Sequence, residues 1–125
     1  MIPRGAAELP GGGRGEPTGG AVAPAMSWAT GYIDQLKRGA TVQFRPRGGS
    51  MRGRIESGQL VTVEPVDPAA LHVGDIVLCT VRGAQYLHLI KAMRGSRFQI
   101  GNNRGGINGW VAARAVYGRC IKIEP

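Results

Sequence analysis

The sequence predicts a mostly β fold: short antiparallel strands forming a partly open, barrel-like sheet, preceded by one short helix. Three observations predict it. From residue 40 onward the apolar residues recur with a period of two rather than 3.6. The apolar runs are separated by turn chemistry such as "VRGAQ", "MRGSR" and "NNRGGING". Twenty-one glycines and many valines and isoleucines, with few aromatic residues, suit strands joined by many tight turns.

Taken in order, residues 1–25, "MIPRGAAELPGGGRGEPTGGAVAPA", are rich in Gly, Pro and Ala and have no period, which predicts a disordered tail. Residues 26–39 hold the helix. Ser27 is a candidate cap, Trp28, Tyr32 and Leu36 recur every four residues, and Gly39 suits the stop. The helix is short and contains Gly31, so it depends on packing against something else. Residues 40–125 form the β domain. Strands are predicted at Thr41–Arg45, Leu60–Glu64, Asp75–Val81, Tyr86–Lys91, Arg97–Ile100, Trp110–Ala112 and Ala115–Ile123. The segment "LHVGDIVLCTVRG" is the clearest hairpin arm, with Arg82-Gly83 opening its turn.

Length and composition narrow the function. A chain of 125 residues supports one domain. Its net charge is +8, and Lys37, Arg38, Arg45, Arg47, Arg52 and Arg54 fall within a stretch, 37–54, that contains no acid. Such a block is either a solvated basic face or a surface for an acidic partner. Cys79 and Cys120 sit in apolar runs without a CxxC or histidine partner, which argues against a zinc site and for buried thiols. The glycine-rich start matches no phosphate-binding loop. Neither a metal nor a cofactor is expected. The sequence has neither an apolar stretch long enough to span a membrane nor a signal-peptide pattern, so a soluble, cytoplasmic protein is expected.

The candidate chemistry centres on "RPRGGSMRGR". Ser50 follows two glycines and precedes Met51. A serine needs a base to take its proton and donors to hold an oxyanion. A glycine-flanked loop bares backbone N–H groups, but Gly-Gly-Ser is also ordinary turn chemistry. Both readings stay open at this point. His72, in "ALHVGD", reads as a surface loop residue, and Asp75 as turn chemistry at the start of a strand. His88, in "YLHLIK", shares a strand face with Tyr86 and Ile90, opposite Leu87, Leu89 and Lys91. His88 and Lys91 therefore serve one site only if a bulge intervenes.

In order and spacing, "GGSMRGRIESGQLVTVEP", "LHVGDIVLCTV", "YLHLIKAM" and "FQIGNNRGGINGWVAARAVYGRCIKI" resemble the S24/S26 serine peptidases, which include signal peptidases and LexA- and UmuD-type self-cleaving proteins. The resemblance covers roughly residues 41–123. It implies peptide-bond hydrolysis by a dyad, with Ser50 as nucleophile and His88 as base, in the histidine form of endoplasmic-reticulum-type signal peptidases. It also implies that the backbone at Gly49 and Met51 shapes the oxyanion and substrate cleft. Asn102 and Asn108 fall where the family carries acids, and are the candidates for orienting His88. Gln59 likewise replaces an acid, and Arg52 stands where proline is common. No Ala-Gly or Cys-Gly bond is present for LexA-type self-cleavage, and residues 1–40 hold no helix-turn-helix.

The expected function is a soluble serine peptidase acting on a peptide or protein substrate. The alternative is a non-catalytic binding module of the same fold, holding a peptide or an acidic partner through Arg47, Arg52 and Arg54. A nucleic-acid-binding barrel is disfavoured because the aromatic residues are too sparse for a stacking platform.

Overall fold

A computed structural model describes residues 27–125 and the backbone of Ile2 and Pro3. The tail expected at 1–25 otherwise lies outside the described residues. The chain runs β1 (Ile2–Pro3), α1 (Thr30–Lys37), β2 (Val42–Phe44), β3 (Pro46–Arg47), β4 (Leu60–Glu64), β5 (Ile76–Val81), β6 (Ala84–Arg94), β7 (Arg97–Gly101), β8 (Ile107–Ala112) and β9 (Val116–Glu124). Single 3-10 turns lie at Pro68–Ala70 and Ala113–Ala115. Seven strands form one open antiparallel sheet in the order β2-β4-β9-β5-β6-β7-β8, and β1 pairs with β3 apart from it. This is the mostly β fold with one short helix that the sequence predicts. No helix among the described residues is long and apolar enough to cross a membrane.

The helix is shorter than 26–39. Ser27 caps the turn before it, its Oγ accepting the Ala29 N–H at 3.0 Å, while Ala29 takes the N-cap place without a side-chain bond. At the far end the Gly39 N–H reaches the Leu36 carbonyl and the Ala40 N–H reaches that of Gln35, the paired bonds of a Schellman stop. The buried stripe is Ala29, Ile33 and Leu36. Trp28 and Tyr32 lie beside it and pack on Phe44, with ring centroids 5.7 and 4.5 Å apart.

The central strands are buried on both faces, so the alternation that locates them does not mark a wet side. Ile76, Leu78, Leu87 and Leu89 join α1, β2 and β4 in one core cluster. Val77, Cys79, Val81 and Ile90 join Phe98, Ile100 and Val111 in a second, on the opposite face. Each fully buried Leu, Ile or Val contributes about 1.5–3 kcal/mol.

The sheet coils strongly. A Cβ built on Gly109 of β8 would lie 3.3 Å from Val81 Cγ1 of β5, although β6 and β7 separate those strands in the sheet. β-Bulges sharpen the coiling. One lies in β6, where Ile90 faces Ile100 and Ala92 faces Gln99, leaving Lys91 as the extra residue. Another lies in β8, where Gly109 faces Ile100 and Ile107 faces Gly101, leaving Asn108 as the extra residue. β8 thus begins three residues before the strand predicted at Trp110–Ala112, inside what reads as a glycine-rich turn.

Candidate active site

Ser50 sits in a tight turn between β3 and β4. Gly48 enters it with φ of 108°, a left-handed conformation that a side chain would strain. The turn closes on itself through the Arg52 N–H to the Gly49 carbonyl and the Arg54 and Ile55 N–H groups to the Met51 carbonyl. Met51 and Ile55 are both 0 % exposed and belong to the core that α1 covers. Two buried side chains therefore anchor the turn and leave Ser50, half-buried, at its crest. The Met51 side chain is core; only its backbone is left to border a cleft.

His88 lies mid-strand in β6 and is 3 % exposed. Its Nε2 is 3.2 Å from Ser50 Oγ, and its Nδ1 is 2.7 Å from Asn108 Oδ1. An amide oxygen only accepts, so Nδ1 carries the proton and Nε2 is the free acceptor facing the serine hydroxyl. Tyr86, two residues away on the same strand face, stacks on the imidazole at 4.8 Å between ring centroids. Burial pushes the His88 pKa below its ordinary value of 6.5, and the hydrogen bond to Asn108 works against that shift. The ring is neutral at pH 7, the state a base needs.

A second loop clamps the first. The Asn103 N–H donates to the Ser50 carbonyl at 3.0 Å, and Asn103 Nδ2 donates to the Arg52 carbonyl at 2.8 Å. Asn102 does not orient His88: its Oδ1 accepts the Arg104 and Gly106 N–H groups, both at 2.8 Å, and so shapes the loop that leads into β8. Of the two orienting candidates, Asn108 alone reaches the ring. Lys91, turned by its bulge, donates from Nζ to the Asn102 carbonyl at 3.0 Å. The bulge that His88 and Lys91 require is present, and it leads Lys91 to the clamp loop.

Gly49 and Ser50 are half-buried, and among the described residues their N–H groups have no hydrogen-bond partner. Gln59 is used locally, its Oε1 accepting the Glu56 N–H. His72 is exposed, and Asp75 accepts its N–H at 2.8 Å while pairing with Arg119 at 3.5 Å. Cys79 is buried, its thiol pushed up to about 12 by burial, which makes it inert. Of the expected trio of arginines, Arg54 reaches the Gly74 carbonyl, while Arg52 stands beside Gly49, joined there by Arg104.

Sequence reasoning missed Asn103, Arg104 and the stacking of Tyr86. Only Asn-Asn-Arg-Gly-Gly, with its tendency to bend back on its own backbone, hinted at an organised loop. No protein-family model matches the chain, and no curated protein matches it significantly.

Proposed function

We propose that the chain is a serine peptidase of the S24/S26 kind, cleaving a peptide bond with Ser50 as nucleophile and His88 as general base. The 3.2 Å contact between Ser50 Oγ and a His88 nitrogen whose partner nitrogen is held by Asn108 carries this reading. As Oγ attacks the carbonyl carbon, Nε2 takes the hydroxyl proton. The unpartnered N–H groups of Gly49 and Ser50 are the candidate donors to the oxyanion. The imidazolium returns its proton to the leaving amine, giving an acyl-enzyme, and His88 then activates the water that releases it.

Polypeptide suits the site because β3, the strand that leads into the Ser50 turn, pairs with extended chain: Ile2 and Pro3 lie antiparallel to Arg47 and Pro46. Free Cys79 and Cys120 fit a reducing compartment, and we assign the protein to the cytoplasm.

Asn108 sets the rate. An amide holds the ring and its tautomer but does not neutralise the imidazolium; in another fold's Ser-His-Asp triad, Asp-to-Asn costs about 10⁴ in kcat. This amide also motivates a second reading, a binding module on the same cleft. One experiment separates them. Purified protein, Ser50→Ala and His88→Ala are assayed against a peptide library by mass spectrometry. A peptidase loses at least about 10³-fold in kcat in both variants, whereas equal turnover in all three leaves the binding module.

A further inference from the structure

Two cations converge on the glycine that precedes the serine. A Cβ built on Gly49 would lie 3.5 Å from Arg52 Nη2 and 3.7 Å from Arg104 Nη1. The two guanidinium nitrogens are therefore no farther apart than the sum of those distances, inside the Debye length of roughly 8 Å at physiological salt, and they repel. Neither has a carboxylate partner among the described residues, where the ion pairs join Arg119 to Asp75 and Lys122 to Glu124. Glu56, the acid nearest in sequence to Arg52, is engaged with the Gly53 N–H at 2.9 Å. Both arginine backbones are fixed: the Arg52 carbonyl by Asn103, the Arg104 N–H by Asn102. Like charges so held, exposed and without a counter-ion, present two planar donor forks to an incoming anion.

We propose that Arg52 and Arg104 form a carboxylate-binding subsite that selects polypeptides carrying an acidic group next to the bond presented to Ser50. The absence of a side chain at Gly49 leaves room for a carboxylate against both forks. The inference rests on the peptidase reading for the place of the scissile bond, but the subsite itself needs only binding. The carboxylate has two chemical sources, an internal Asp or Glu side chain and a free chain terminus.

The test uses the full chain carrying Ser50→Ala, so that no peptide is consumed. Binding is read by fluorescence anisotropy with three otherwise identical peptides: internal Glu with an amidated end, internal Gln with an amidated end, and internal Gln with a free end. A carboxylate-bearing peptide binds at least about tenfold tighter than the uncharged one, and the stronger of the two acidic peptides names the source. The preference shrinks with added salt and vanishes when Arg52→Gln and Arg104→Gln are combined. Equal binding of all three peptides, a preference that survives the double substitution, or equally tight binding of a single-stranded oligonucleotide overturns the subsite. Turnover by the unsubstituted chain is measured in parallel. A carboxylate preference without Ser50-dependent cleavage keeps the subsite and removes the peptidase, while cleavage without that preference does the reverse.

Discussion

As the general base of the proposed peptidase, His88 has to be neutral to accept a proton and must then carry a charge while the tetrahedral intermediate forms. The structure favours the first state over the second. Burial keeps the imidazole uncharged, and Asn108 meets the imidazolium with a dipole rather than an anion. Because the pKa is lowered, the base form persists to lower pH than an ordinary histidine allows. The rate should therefore rise with pH through an inflection below 6.5 and stay flat above it. Asn108→Asp places a carboxylate where Oδ1 lies 2.7 Å from Nδ1. Opposite charge at that distance raises the His88 pKa and stabilises the imidazolium. The acidic limb of the pH–rate profile should move to higher pH, and the plateau kcat should rise by about tenfold or more. Profiles for the two proteins check both, and an unmoved limb would take Asn108 out of the relay.

At the scale of elements, bulges convert a regular sheet into a site. Asn108 and Lys91 are each the extra residue of a bulge, one aimed at His88 and the other at the loop that clamps the Ser50 turn. Gly101 lies between them. A Cβ there would collide with the Gly106 carbonyl oxygen and approach Lys91 Cγ to 3.0 Å and Ile107 Cδ1 to 3.2 Å. Gly101→Ala should thus push loop 102–106 off the Ser50 turn, lowering kcat by about tenfold or more and stability by roughly 1–3 kcal/mol. Urea unfolding and peptide turnover measure the two, and full activity in a destabilised variant would show that the clamp positions nothing. The strands were legible because alternation is local: β4 falls where its apolar run lies, and β5 and β7 within one residue of theirs. The bulges were not. Register is decided between strands, and "GGING" carries turn residues whether or not Asn108 and Gly109 join β8. β1 and β3, two residues each, are too short to show any period. Ser50 and His88 were readable as residue types suited to a dyad, but their contact joins positions 38 apart in the sequence and is decided by tertiary packing.

For the whole molecule, that coiling has to be held against charge. The two core clusters bury both faces of β5 and β6 and bring β8 over β5, which sets Asn108 within reach of a histidine two strands away. Opposing this is a net charge of +8 on 125 residues, with ion pairs among the described residues confined to Arg119–Asp75 and Lys122–Glu124. Unpaired cations on a compact body repel one another, and unfolding relieves that repulsion by spacing them out. Salt screens the folded state more because its charges are closer: the Debye length falls from roughly 30 Å at 0.01 M to roughly 8 Å at 0.15 M. Raising sodium chloride over that range should increase the unfolding free energy by on the order of 1 kcal/mol. Urea is the suitable denaturant because it adds no ions, and the transition midpoint should rise while the slope m stays constant. A midpoint that falls with salt would mean that attractive pairs outweigh the basic surface, and that the cations around Ser50 are neutralised within the fold.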